Sequence, residues 1–213
     1  MDSLEQKTVS LLKNQMQIGG FQVKNFALLE EKDLKEILSW RNDLHIRKWM
    51  FNQHEITWEE HAGFVNALKK SEDKLYFLVN KDGHDLGVIY LYEIDLCSRR
   101  CLWGYYLKPN LINSGGGILL AYLVMLLVFE NLHLHCLRCT LLSDNEKSLR
   151  IDEFLGFKKE GIRRDFLFNS TENLFRDVLV MSILEDEWAL KKKEIGSYIE
   201  KVGLTVKNGR AVS

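Results

Sequence analysis

The stretch "NSGGGILLAYLVMLLVFENL", residues 113–132, sets three glycines directly against a dozen apolar residues. It has three readings: a membrane anchor, a hinge on a core helix, or a cradle for phosphate. Length removes the first, because a bilayer span takes about 20 apolar residues and Glu130 and Asn131 stop this run, Ile118 to Phe129, at roughly 12. A glycine turn that opens a helix presents backbone N–H groups at the positive end of the helix dipole, where an anion binds. Any side chain larger than hydrogen would hold a pyrophosphate off that backbone, so Gly115, Gly116 and Gly117, with Ser114 and Ile118 beside them, form the candidate cradle. The pattern is neither the dinucleotide fingerprint nor a Walker loop, which needs Lys and Ser or Thr after the glycines. The residues alone leave hinge and cradle both open.

Working outward, "FQVKNFALL" reads as a strand and "EEKDLKEILSWRN" as a helix with Leu34, Ile37 and Leu38 on one stripe. Seven residues beyond Leu34 that stripe meets Arg41. A second helix opens at Thr57 with Glu60 three residues on, a capping box, and carries Phe64, Val65 and Leu68 inward with His61 among them. The segments "LYFLVN", "LGVIYLYEI" and "CLWGYYL" are three strands joined by turns at "KDGHD" and "LCSRR". After the glycine helix come strand "LRCTLL", helix "NEKSLRIDEFLGF" and the strands "EGIRRDFLF" and "FRDVLVMSIL". The tail "DEWALKKKEIGSYIEKV" is helical by spacing, with Trp188, Ile195, Ile199 and Val202 on one side. The expectation is one mixed α/β (α+β) domain over 21–184, with helical extensions over 1–20 and 185–213.

A chain of 213 residues with 46% hydrophobic and 28% charged residues has enough apolar material for one substantial core. Its formal net charge of -1, and no basic block longer than "LKKKE", give no electrostatic footprint for nucleic acid or anionic membrane. The first residues lack the basic start and apolar middle of a signal peptide, so a cytoplasmic location is expected. In "HLHCLRC", Cys136 and Cys139 fall on opposite faces of a strand, and Cys97 and Cys101 straddle a turn with no histidine nearby. Structural cysteines and no metal are expected.

The order of three antiparallel strands, glycine-opened helix, strand, helix and final hairpin resembles the GNAT acetyltransferase superfamily. That family's loop reads Gln or Arg, two others, Gly, any, Gly or Ala. Gly115 and Gly117 fit it, and Ile112 stands where Gln or Arg is usual. Its later motif, Asn-x-x-Ala-x-x-x-Tyr-Glu-x-x-Gly-Phe, is matched by "NEKSLRIDEFLGF", with Asn145 kept and Asp152 in place of the tyrosine. The resemblance implies a mostly antiparallel sheet flanked by helices, acetyl-coenzyme A held by the glycine loop, and a pantetheine arm on Asn145 and Ser148. The front segments "WRNDLHIRKWM", "TWEEHAGFVNAL" and "WGYYLKPNL" narrow the likeness to the aminosugar N-acetyltransferases of pseudaminic acid biosynthesis. Those enzymes act on a UDP-4-amino-4,6-dideoxy sugar. By position, Arg41, Trp49, His61 and Tyr106 would then face the UDP-aminosugar.

The chemistry is direct attack of a neutral amine on a thioester. Candidates to remove the amine proton are Glu93, Tyr90 and Tyr92, and the Leu107 N–H is the candidate oxyanion donor. Asp152, ordinarily ionised near 3.9 and close in sequence to Lys147 and Arg150, is expected to have no proton to give the leaving sulfur. Water or a strand tyrosine would supply it instead. Structural alternatives stay open: Arg41 as a helix C-terminal cation, and His61 and Trp49 as core residues. A protein N-acetyltransferase and a coenzyme-binding protein without turnover remain rival functions, and a homodimer is not decided.

Overall fold

The computed structural model describes residues 14–169 and 172–201, together with the backbone of 205–207 and 210–212. Gly19 and Gly20 both sit at positive φ, which makes a tight reversal possible there. Strand β1 (Gln15–Ile18) turns through them and pairs antiparallel with β2 (Phe21–Asn25). This corrects the helical reading of the 1–20 segment over Gln15–Ile18: an alternating pair with buried Ile18 and Phe21 outcompetes a helix that would need to continue through two glycines. Residues 1–13 lie outside the described residues. The strand "FQVKNFALL" is also shorter than expected, because the Asn25 side chain accepts from the Ala27 N–H and starts a 3₁₀ turn at Phe26–Leu28.

The helix α1 (Glu31–Asn42) buries Leu34, Ile37 and Trp40. A short helical turn at Leu44–Arg47 is capped by Asp43. Helix α2 (Trp58–Leu68) carries the expected capping box between Thr57 and Glu60. Strands β3 (Leu75–Lys81), β4 (His84–Asp95) and β5 (Arg100–Leu107) form an antiparallel meander. The glycine helix α3 (Gly116–Met125) runs on as a π-helical segment, Leu126–Asn131, before β6 (Cys136–Leu142). Helix α4 (Glu146–Leu155) is capped by the Asn145 side chain and ends at Gly156 in the left-handed region. The hairpin β7 (Lys158–Asn169) and β8 (Leu174–Leu184) precedes α5 (Glu185–Lys201), whose buried residues are Trp188 and Ile195. Strands β9 (Thr205–Lys207) and β10 (Arg210–Val212) pair with each other beyond it, which corrects the helical reading of 185–213 over those residues, where β-branched Thr205, Val206 and Val212 favour extended backbone; Val202 lies outside the described residues.

Strand order is β1-β2-β3-β4-β5-β6-β8-β7, antiparallel throughout except for the parallel pair β5–β6. The inner strands are covered on both faces, while the outer strand β7 is largely exposed. One face packs Phe26, Ile37, Trp40, Val65 and Tyr106 under α1 and α2. The other packs the apolar run of α3 with Trp103, Leu155 and Trp188. The apolar run is therefore a buried helix inside the domain, and no helix among the described residues is long and apolar enough to cross a membrane.

Candidate active site

Strands β5 and β6 are hydrogen-bonded only where Arg100–Leu102 meets Cys136–Arg138. Beyond that point β5 runs on to Leu107 along β4, and β6 runs on to Leu142 along β8. The sheet opens into a fork. A cavity of about 1230 Å³ occupies the fork and extends to both faces of the sheet. Backbone groups of a strand point alternately to its two edges. The Lys108 N–H donates to the Leu86 carbonyl of β4 at 2.9 Å, so the Leu107 amide is directed the other way, into the fork.

On the α3 side, the three glycines serve three different ends. Gly115 has φ 83° and is the residue from which the helix starts. Gly116 does not line the cavity; a Cβ there would lie 2.9 Å from Leu107 Cδ2, so its smallness lets the helix settle on β5. Gly117 does line it, and a Cβ would lie 3.0 Å from Tyr105 Oη and 3.2 Å from Ile151 Cδ1. Ser114 also stays out of the cavity: its hydroxyl donates to Leu111 O at 2.6 Å and accepts from Gly116 N–H at 3.3 Å. The expected cradle of residues 114–118 thus reduces to Gly115, Gly117 and Ile118 as lining residues. Across from it, Asn145 is buried and accepts from the Ser148 N–H at 3.3 Å, and both line the cavity. In the first turn of α3 the Gly116 N–H goes to Ser114 Oγ and the Ile118 N–H to the Gly115 carbonyl at 3.1 Å, and Gly115 and Gly117 keep the turn clear of side chains, an opening suited to an anionic group such as a pyrophosphate.

The opposite face is aromatic and cationic. Arg41 Nη2 donates to Asn52 O at 2.7 Å, while Nη1 is buried and makes no hydrogen bond. His61 is 5% exposed among Phe26, Trp58 and Phe64, its Nε2 has no partner, and burial holds its pKa below the usual value. Both line the cavity with Trp49, Tyr76, Tyr90 and Tyr106. Trp49 lies between Lys48 and Arg176, 5.2 and 5.6 Å from its ring. Tyr76 and Tyr90 stack at 4.8 Å, and Tyr90 lies over Gly104, where a Cβ would collide with its hydroxyl. Burial pushes the phenols of Tyr76, Tyr90 and Tyr106 well above their ordinary value, so each keeps its proton at neutral pH. Tyr90 is therefore a donor there and no resting base.

Glu93 is not brought to this group. It sits at φ 49° in the irregularity between Tyr92 and Asp95, is exposed, and does not line the cavity, because its odd offset from Tyr90 and Tyr92 turns it away. Asp152 reverses another expectation. It is 5% exposed, the Cys139 thiol donates to its Oδ2 at 3.5 Å, and its pKa is raised to about 7, chiefly by desolvation. Lys147 is turned to Asn113 and Arg150 to Glu146, so the two cations near it in sequence leave the carboxyl unpaired.

Sequence reasoning passed over Tyr76, Gly104, Tyr105, Cys139 and Arg176. Two of these had a legible signal: a glycine inside "CLWGYYL" marks a close approach to a strand, and Tyr76 stands opposite Tyr90 once β3 and β4 are registered. The others depend on tertiary register. Arg176 of β8 bonds Asp144 and reaches Lys48 O at 3.4 Å, which ties the loop bearing Trp49 to the loop before α4. The two cysteines of "HLHCLRC" do not face one ligand: Cys136 is half-buried and Cys139 points at Asp152. Among the described residues no group of three or more His, Cys, Asp or Glu is placed to hold a metal ion.

A family model described as an acetyltransferase (GNAT) domain matches residues 27–174. Acetyltransferase PseH of Campylobacter jejuni (serotype O:23/36) is 34% identical over 144 residues, covering 68% of this chain and 88% of that relative. The crystal structure of Campylobacter jejuni PseH in complex with acetyl coenzyme A superposes with a TM-score of 0.60 at 25% identity, over 78% of this chain and 99% of that one. Spermidine N-acetyltransferase from Vibrio cholerae, solved with CoA and spermine, shares the fold with a TM-score of 0.72 at 22% identity, over 80% and 98% of the two chains.

Proposed function

Because this chain belongs to the GNAT acetyltransferase family, and is an enzyme of acetyl-coenzyme A-dependent N-acetyl transfer, we propose that its acceptor is an amino group on a nucleotide-linked sugar. The observation that carries this reading is the charge of the acceptor half of the cavity. From α1 to β3 its described lining residues include the cations Arg41, Lys48 and Lys74 beside His45 and His61, and no carboxylate. The lining carboxylates are Glu146 and Asp152, both on α4. A polyamine would meet cations there, and like charges repel in a partly dry site. A diphosphate would give Arg41 Nη1 and His61 Nε2 the partners they lack and relieve the cost of burying bare polar atoms. Trp49, Phe51 and Phe64 supply flat apolar surface for a base or sugar ring.

When bound, the coenzyme supplies an activated acetyl group as a thioester. Gly115, Gly117 and the first turn of α3 hold its phosphates, and Asn145 and Ser148 orient its arm. The Leu107 amide in the fork stabilises negative charge on the acetyl oxygen. Tyr90 and Tyr106 close the acceptor side with protonated hydroxyls and keep bulk water out. The 34% identity to an acetyltransferase named PseH supports a UDP-4-amino-4,6-dideoxy sugar of the pseudaminic acid type as the acceptor. A polyamine acceptor, the second reading, has the likeness to the spermidine enzyme in its favour and the cationic lining against it.

The test is transfer of labelled acetyl from acetyl-coenzyme A to UDP-4-amino-4,6-dideoxy-N-acetylaltrosamine, to spermidine and to basic peptides in parallel. Rapid labelling of the nucleotide sugar alone is expected. Preferential labelling of spermidine or of peptide would replace the proposal.

A further inference from the structure

The cavity wall on the α3 side holds one acidic group that neither phosphate binding nor packing accounts for. Asp152 lies in the last half of α4, is 5% exposed, and faces the fork beside Tyr105 of β5 and Cys139 of β6. An unpaired carboxyl is expensive to bury, and at this position an apolar residue would pack without that cost. We propose that Asp152 is a catalytic residue of this enzyme: its carboxyl gives the proton that the departing coenzyme sulfur takes up. The assignment rests on the acetyl-transfer reading of the cavity.

In the transfer step the acceptor nitrogen bonds to the acetyl carbon, the carbon–sulfur bond breaks with its electron pair going to sulfur, and the sulfur takes the proton of the Asp152 carboxyl. The nitrogen releases one proton to solvent, from which Asp152 is reprotonated. The two titratable groups beside Asp152 suit the step less well. Burial pushes the Tyr105 phenol far above its ordinary value, and the Cys139 thiol is held well above its own by burial and by Asp152. General acids work best when their pKa lies near the working pH.

The groups that set the behaviour of Asp152 can be named. Cys139 donates to it and favours the ionised form; Glu153 on its own helix disfavours that form, and Tyr105 is the titratable neighbour from β5. Glu160 of β7 acts on Cys139 in the same sense as Asp152 does. Lys147 and Arg150, bonded to Asn113 and Glu146, contribute no contact. The carboxyl is therefore protonated in about half of the molecules at neutral pH, and kcat should decline as pH rises through about 7.

Two measurements test the assignment. Infrared or carbon-13 NMR titration of the free wild-type protein against Asp152→Asn should show one carboxyl, missing in the variant, that ionises near pH 7. Its ionisation below about pH 5, toward the ordinary carboxylate range, would overturn the assignment, whatever the activity. Steady-state kinetics of Asp152→Asn should show kcat lowered about a hundredfold or more and the alkaline limb abolished. Coenzyme A affinity by calorimetry should stay within about threefold, since the carboxyl is not part of the phosphate cradle. A variant that keeps kcat within about threefold, while wild type acetylates its amine, would overturn the role of Asp152 and leave the function standing. Wild type that binds acetyl-coenzyme A and transfers to no amine would overturn the function and the assignment together.

Discussion

Asp152→Asn should remove a pH dependence of stability that the ligand-free wild-type protein carries. The folded protein holds this carboxyl at about 7, whereas the unfolded chain leaves it near the ordinary 3.8. A raised carboxyl means that the folded state binds a proton the unfolded state has already lost, so stability falls as pH rises through the interval between the two values. About three units correspond to about 4 kcal/mol by about pH 8, where both states are ionised, of which about 1.5 kcal/mol is already spent at about pH 5. Between about pH 5 and 8 this group alone should therefore cost wild type about 2–3 kcal/mol. The asparagine side chain has the same shape, still accepts from the Cys139 thiol, and does not titrate. Urea unfolding at steps across that range reads the difference. The variant should gain on wild type by about 2–3 kcal/mol, and it should be the more stable of the two at the alkaline end. Parallel curves would show that Asp152 is ionised throughout, its desolvation relieved by a cation or donor brought to it in solution.

The other predictions concern the cavity walls. Gly117→Glu should weaken coenzyme A about tenfold, roughly 1.4 kcal/mol, through lost room beside Tyr105 and repulsion of the pyrophosphate; unchanged affinity by calorimetry in a folded variant would move the phosphate site. Arg41→Ala should raise the KM for the nucleotide sugar while leaving that for acetyl-coenzyme A within about twofold; equal loss for both would point to a folding role. Gly104→Ala should cost about 1–3 kcal/mol, because its Cβ would collide with the Tyr90 hydroxyl. Combining it with Tyr90→Ala should recover part of that cost, and strict additivity in the double-mutant cycle would refute the contact.

What could be read from the chain follows the range of the interactions concerned. The capping box at Thr57 and Glu60 and the buried apolar run depend on neighbours three or four residues away, and these were legible. Gln15–Ile18 was misread because a short strand is decided by its partner Phe21–Asn25. Glu93 was misplaced because alternation along β4 turns it to the face opposite Tyr90 and Tyr92, from which it is an odd number of residues away. Gly116 and Gly117 look equivalent in "SGGGI", yet one is small for Leu107 and the other for Tyr105 and Ile151, all of them brought close only by the fold. For Asp152, Lys147 and Arg150 suggested a lowered pKa. Helical geometry instead gives those cations to Asn113 and Glu146 and leaves the carboxyl to desolvation.

On the proposed reading, an anionic acceptor and the coenzyme enter from opposite faces of the sheet and meet where β5 and β6 part. A crystal structure with coenzyme A and the UDP-aminosugar tests it most directly. Coenzyme phosphates are expected on the amides at Gly115 and Gly117, acceptor phosphates on Arg41, and the sugar nitrogen close to the sulfur between Leu107 and Asp152. Acceptor phosphates bound away from Arg41 and His61, or a coenzyme lying outside the fork, would contradict it.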